Sequence, residues 1–555
     1  MATNIFKQEE EEIKKFKELR KKEEENFTIR TAQKLGLPYA NLLTQSVNLD
    51  ALVILDEESS RNGEIAVIAK QDFNLKVCVK NPNNPKTISV IDSLKKRGFK
   101  VDIYLVSTQS LKKAWDLYAD IIKKGGGLTG EIEITPENLW KIQEAIKNIE
   151  DFKKIFETTR EKSTSMILEV LIAGSLSLDS SDMHIEPGEK DARVRFRIDG
   201  LLQEATSVSV ATYKHLLNRI KLLSELKINI TDTPQDGRFS ISTNDKAIEI
   251  RTSVLPGPNG ESMVLRILNP AKLTVAIEEL GFLEHDLKTV GEELKKPNGL
   301  IVVTGPTGSG KTTTLYSFIK KINTTGIKII TIEDPIEYHI EGISQSQVEP
   351  EKGYTFASGL RSILRQDPDV ILVGEMRDSE TADIGIHASL TGHLVLSTLH
   401  TNDAPSAVLR LIDMGLNPNI LTPAINSILA QRLVRKVCKF CSQKRKATAE
   451  EITMMKKILS DMPSGFKMPE INENTEVAVA VGCIKCNNSG YKGRVGVFEI
   501  FTINKDVEDV VAKNPSQTLL IEIAKKNGMI QMQQDGVLKV LAGITTIEEI
   551  DRVSK

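Results

Sequence analysis

Hydrophobic positions follow three rhythms along the chain, and each predicts a different kind of structure. Between 297 and 430 they form short, mostly apolar runs, Leu300–Val303, Ile327–Ile332, Val370–Val373 and Leu394–Ser397, separated by stretches of helical spacing. Strands that are apolar at nearly every position are buried on both faces, so this region predicts a parallel sheet covered by helices. From about 160 to 270 the rhythm is alternation. Val194, Phe196 and Ile198 interleave with Arg193, Arg195 and Arg197, and Ile248 and Ile250 begin a second such run. Alternation implies one wet face. With a helix that carries Met166, Ile167, Val170 and Leu171, it predicts an α+β domain whose sheet shows a basic face. Between 28 and 124 two strands, Ile65–Ile68 and Leu75–Val79, a turn at Asn81–Pro85 and a helix from Thr87 to Arg97 with Thr87 as N-cap predict a small α/β module. Cys78 sits inside one of those strands as a core residue.

The changes of pattern divide the chain. A charged helical extension (1–27) carries seven basic and eight acidic residues in its first 26 positions. An N-terminal α/β domain (28–124) follows, then a linker (125–159) that opens on Gly125, Gly126, Gly127 and Gly130 and turns helical over 131–155. A second N-terminal α+β domain (160–285) leads to a C-terminal α/β domain (286–555). Within the last, 434–495 is a cysteine-bearing subdomain and 496–555 a helical end. The expected fold class is multidomain α/β.

Composition narrows the functional class. The chain has 555 residues, 40% of them hydrophobic and 27% charged, the balance of a folded protein with several cores. Lys and Arg (73) nearly cancel Asp and Glu (75), leaving a net charge of −2. A dedicated nucleic-acid binder would show a basic excess. No apolar run approaches the ~18 to 20 residues that span a bilayer, and Met1 to Glu12 lack the apolar stretch of a secretory signal. Five cysteines build no disulfide framework, so a cytoplasmic location is expected.

The chemistry is concentrated at one loop. Gly305-Pro306-Thr307-Gly308-Ser309-Gly310-Lys311-Thr312 is a complete GxxxxGK[ST] phosphate loop, with an apolar strand before it and a helical stretch from Thr313 after it. Its glycines let backbone N–H groups turn toward phosphates at a helix N-terminus. Lys311 is expected to reach the β- and γ-phosphates, and the Thr312 hydroxyl to hold Mg²⁺. Carboxylates are needed beside it. Glu333 and Asp334 end one apolar strand, and Gly374-Glu375 ends another, with glycine where aspartate is commonest. One glutamate would hold a Mg²⁺-bound water and the other would orient the attacking water. His393 and His400 bracket the strand Leu394–Ser397, next to Thr398, Thr401 and Asn402, and are expected to sense phosphate.

Cys438-Lys439-Phe440-Cys441 and Cys483-Ile484-Lys485-Cys486 are two CxxC pairs with 41 residues between them. Four thiolates at this local spacing would close one tetrahedral, structural Zn²⁺ site. The other reading of the pairs is redox-active dithiols.

Taken together these words resemble the GspE/PilB family of bacterial ATPases, the motors of type II secretion and type IV pilus assembly. The resemblance is carried by Ser181 to Pro187, Arg197-Ile198-Asp199-Gly200 and Pro234-Gln235-Asp236-Gly237-Arg238. It continues through the phosphate loop, Thr331 to Glu337, Leu364 to Asp369, Gly374 to Asp378, Thr391-Gly392-His393, Leu399 to Asn402 and Gly490 to Arg494, and closes with Asp535-Gly536 and Thr545-Thr546. It implies a RecA-like P-loop ATPase core in a homohexameric ring, with Arg238 and Arg251 of the second domain reaching phosphates as arginine fingers. It also implies Mg²⁺-dependent hydrolysis of ATP that drives assembly of pilin-like subunits. The implied partners are an inner-membrane platform protein and a cytoplasmic adaptor, with the chain peripheral to the membrane and no nucleic acid expected. Near Lys352 to Phe356 the wording departs from the family's. Only Lys34-Leu35-Gly36 is present of the family's cyclic di-GMP motifs, so that ligand is not expected. A RecA-like nucleic-acid translocase and a pilus retraction ATPase are the competing readings.

Overall fold

The computed structural model describes residues 23–554 except 46, 53, 72–73, 97–98, 124–135, 243–246, 270–274, 464–465, 467 and 514. The charged extension as far as residue 22 and the glycine joint lie outside the described residues. The chain divides into two compact units, one up to 133 and one from 134 onward.

In the first unit Ile65–Gln71 pairs antiparallel with Asn74–Val79, which in turn runs parallel to Lys100–Leu105. Alternate residues supply two cores. Ala66 and Cys78 pack with Leu111, Ala114 and Trp115 of the helix Thr108–Lys123. Ile65, Val67 and Val77 pack with Ile91 and Leu94 of the helix Pro85–Lys96. Cys78 has no exposed surface, and burial pushes its thiol up to about 12. That helix begins two residues before Thr87. Proline favours the first helical position, the Asn84 side chain accepts from the Lys86 N–H at 3.0 Å, and Thr87 is buried, donating to Gly63 O.

The second unit opens with residues that the sequence reads as linker. Pro136–Ala145 and Ile149–Thr159 are helices packed on the helix Thr164–Ser177. Phe152 of the second lies edge-on to Phe196, 5.1 Å between ring centroids. A side chain at Gly174 would meet the Phe152 ring at 2.2 Å, which accounts for the glycine. The six-stranded antiparallel sheet that follows has the order Leu201–Ser209, Asp191–Ile198, Asp182–Pro187, Ser262–Leu268, Ala247–Leu255, Gln235–Ser242. Asp191–Ile198 alternates buried and outward positions as its sequence predicts.

The C-terminal sheet has seven strands in the order Ser344–Gln347, Ile329–Glu333, Val370–Val373, Leu394–Leu399, Gly299–Thr304, Ile425–Val437, Tyr491–Thr502. All neighbours are parallel except the last pair. Every residue of Gly299–Thr304 and Leu394–Leu399 is buried. Leu300 and Val302 serve the core on one face, and Ile301 and Val303 serve the other, under the helix Lys311–Ile322. The expected parallel, covered sheet is therefore present. It sends the C-terminal ends of Gly299–Thr304, Leu394–Leu399, Val370–Val373 and Ile329–Glu333 to one edge, where ligands of open α/β sheets bind.

Candidate functional site

The phosphate loop joins the first of those ends to the helix Lys311–Ile322. Gly305, Gly308 and Gly310 adopt φ of 150°, 80° and 90°. A Cβ on Gly305 would sit 2.5 Å from Gln431 O, and one on Gly310 would sit 2.9 Å from Gln431 Nε2. The neighbouring strand thus dictates glycine here as much as the turn does. Gln431 also accepts from Thr314 Oγ1 at 2.8 Å, tying that strand to the first turn of the helix. Lys311 Nζ donates to Gly305 O at 2.7 Å. Burial lowers its pKa, the Glu375 carboxylate opposing. The loop borders a cavity of about 440 Å³ whose wall includes residues 306–313, Glu333, Glu375, Arg377 and His400.

The two carboxylates are held differently. Glu333, 3% exposed, accepts from Tyr316 Oη, from Thr331 Oγ1 at 2.6 Å and from Gln345 Nε2 at 3.2 Å. Glu375 stands with Oε1 3.1 Å from His400 Nε2 and Oε2 2.9 Å from Arg377 Nε, its side chain 19% exposed. Gly374 is tightly placed: a Cβ there would lie 3.3 Å from Glu333 Cα, which restricts any larger residue at this position.

His393 stands at the other edge of the sheet. In a parallel sheet the two ends of a strand face opposite rims, ~20 Å apart for six residues. His393 precedes Leu394–Leu399 and bonds to Ala388 O at 3.0 Å, while His400 follows the strand into the cavity. Bracketing a strand thus separates two residues instead of joining them, and only His400 faces the phosphate side.

The arginines also sort themselves. Arg251 donates to Ile336 O at 3.0 Å and pairs with Glu337 at 3.1 Å and Glu249 at 3.2 Å. It lies across from Arg238 on the adjacent strand. Both border a neighbouring space of about 520 Å³ rather than the phosphate cavity. The second-domain arginine that lines the phosphate cavity is Arg266, with its Nε 3.1 Å from Asp182. Its signal in the sequence is an outward cation on a strand whose Met263, Leu265 and Ile267 point inward.

The four cysteines converge although their pairs are far apart in the chain. All four Sγ atoms lie within 4.8 Å of one another, with Cys438–Cys483 at 4.0 Å, Cys441–Cys486 at 3.8 Å and Cys483–Cys486 at 3.8 Å. A tetrahedron of ~2.3 Å Zn–S bonds has edges of about 3.8 Å, so the donor set fits that ion. Burial opposes ionisation of Cys486, but N–H donors from Cys483 and Gly490, together with the neighbouring thiols of Cys441 and Cys483, outweigh it and bring the thiol to about 7.

Residues 157–552 match the family described as Type II/IV secretion system protein. The chain is 35% identical over 538 residues to the type IV pilus assembly ATPase PilB of Myxococcus xanthus, covering 95% of this chain and 91% of that protein. It is 43% identical over 391 residues to the type II secretion system protein E of Dickeya dadantii, covering 70% of this chain and 75% of that protein. Among solved structures the ATPase DotB of Legionella pneumophila resembles it with a TM-score of 0.51, over 70% of this chain and 95% of that one. At 20% identity this likeness speaks for the fold alone.

Proposed function

Because the chain belongs to the type II/IV secretion system protein family, and its relative in Myxococcus xanthus is a type IV pilus assembly ATPase, we propose that it binds ATP with Mg²⁺ at 305–313 and uses hydrolysis to drive assembly of pilin-like subunits. The observation that carries this is the convergence of Lys311, Glu375 and His400 on one cavity at the sheet's C-terminal edge. Lys311 and the loop N–H groups hold the β- and γ-phosphates. The Thr312 hydroxyl takes part in holding Mg²⁺, which when bound neutralises phosphate charge. Glu333 has its oxygens committed to three donors, so Glu375, facing the cavity with His400 beside it, orients the attacking water. Arg266 supplies a cation from the second domain, while Arg251, engaged by Glu337 and Ile336 O, and Arg238 across from it contribute less.

Pilus assembly is favoured over type II secretion because the pilus relative matches along 95% of the chain, the N-terminal domain included, against 70% for the secretion relative. A homohexameric ring, a platform protein and an adaptor at the cytoplasmic membrane face complete the proposal. Among the described residues no helix is long and apolar enough to cross a membrane, so attachment would come through those partners. The four thiolates would hold one Zn²⁺ as a structural cross-link.

The test is Lys311→Ala in the purified chain. Loss of the ammonium should cut ATP turnover by about a thousandfold or more, measured as released phosphate. Turnover near that of the unaltered chain would place catalysis elsewhere.

A further inference from the structure

Two of the sequence motifs, Arg197-Ile198-Asp199-Gly200 and Gly490-Tyr491-Lys492-Gly493-Arg494, border no part of the phosphate cavity, yet they meet each other. Asp199 and Gly200 form the two-residue turn between Asp191–Ile198 and Leu201–Ser209, with φ of 49° and 87°. This is the left-handed pair that a tight hairpin requires. Asp199 Oδ2 accepts a hydrogen bond of 2.9 Å from the Gly493 N–H. Gly493 can donate because it lies in a bulge. Arg435 pairs with Arg494 and Val437 with Tyr491, so Lys492 and Gly493 oppose Lys436 alone, and Gly493 takes a φ of 78°.

A second contact lies nearby in the chain. Asn487 follows Cys486 directly, takes a φ of 51°, and accepts from the Ile149 N–H at 2.8 Å. It thereby caps the first N–H of the helix Ile149–Thr159, whose own Asn148 serves Glu150 and Asp151. That helix is fastened through Phe152 to Phe196, on the same hairpin as Asp199. Both contacts therefore hold one body, and that body carries Arg266. Arg197, two residues before Asp199, lies 3.3 Å from Asp182, and Asp182 lies 3.1 Å from Arg266 at the phosphate cavity.

We infer that Asp199 and Asn487 are positioning residues, two acceptors through which the tetracysteine module sets where Arg266 stands over the phosphates. The inference rests on the reading of the cavity given above. Replacement by glycine removes each acceptor while keeping the left-handed backbone unstrained. Asp199→Asn and Asn487→Asp keep an acceptor oxygen.

The experiment compares these four variants of the full chain in steady-state ATP hydrolysis and in amide hydrogen exchange, with metal content measured as a control. Asp199→Gly and Asn487→Gly should each lower kcat about two- to tenfold, the loss of one hydrogen bond, with KM changed less than kcat. The amides of Gly493 and Ile149 should exchange faster in the corresponding variant. Asp199→Asn and Asn487→Asp should restore both readouts. Unchanged kcat with faster exchange would mean that the contacts only stabilise, and would overturn the inference. Equal loss in the acceptor-keeping variants would overturn it too. If even the unaltered chain shows no Lys311-dependent hydrolysis, the cavity reading fails instead. Positioning then stands or falls on whether the glycine variants speed exchange in the strand that carries Arg266.

Discussion

Glu333 and Glu375 show how burial and partners assign different work to the same side chain. The first is closed off by three donors, while the second is contacted by an imidazole and a guanidinium that a nucleotide can displace. Glu375→Gln should leave nucleotide affinity within about threefold and lower turnover at least about a hundredfold, separated by equilibrium binding and single-turnover hydrolysis. Loss of affinity in step with turnover would assign it to binding. A residue of another kind is Asp286. It is buried beside His285, Asp535 and Lys539, with Oδ2 lacking a partner, and burial followed by the Asp535 charge raises it to about 6. A carboxyl raised on folding contributes stability that is complete below its unfolded value of about 4 and is lost as pH rises through about 6. Asp286→Asn should therefore raise the melting temperature at pH 7.5, by on the order of 1–3 kcal/mol in stability, and the gain should shrink toward pH 4. A melt that is lower at both pH values would show that the ionised form is needed.

At the scale of elements, the tetracysteine module depends on one sheet register. Cys438 follows Val437, which pairs with Tyr491, and this brings the second CxxC pair beside the first. Cys438→Ser should release the metal, which elemental analysis of the parent protein should show at about one Zn²⁺ per chain. It should also open 438–490 to protease while ADP binding at the phosphate loop survives. Full metal retention would point to another ligand set. Legibility followed the range of the interaction. The phosphate loop could be read because its glycines, lysine and flanking strand and helix are contiguous. The covered parallel sheet could be read because burial on both faces marks each strand separately. The joining of the cysteine pairs across 41 residues was expected, because each CxxC offers half of a four-thiolate set and the structure brings the halves together; the misplacement of His393 and the prominence of Arg266 over Arg238 and Arg251 were hidden. Each depends on which strand lies beside which, and no local pattern encodes strand order.

For the whole molecule, the second domain matters through where it puts its guanidinium groups. Arg266→Ala should lower kcat roughly tenfold or more with nucleotide affinity little changed. Arg251→Ala should act less on kcat, because Glu337 and Ile336 already engage its guanidinium. Stopped-flow hydrolysis beside fluorescent-nucleotide titration would tell them apart, and equal effects would mean that both reach the phosphates after domain movement. The strand Ile425–Val437 joins these parts in another way. Its thirteen residues run ~40 Å, touching the phosphate loop through Gln431 and ending at Val437, one residue before Cys438. A hydrogen-bonded strand pair yields to bending across its face but hardly to stretching along its length, as close-packed interiors transmit strain. An axial shift at the nucleotide should therefore travel along this strand toward the cysteines, with the bulge at Lys436 as the one place where the paired ladder can absorb it. A probe fixed beside the four cysteines should then respond when nucleotide occupies the phosphate loop, far from where it binds.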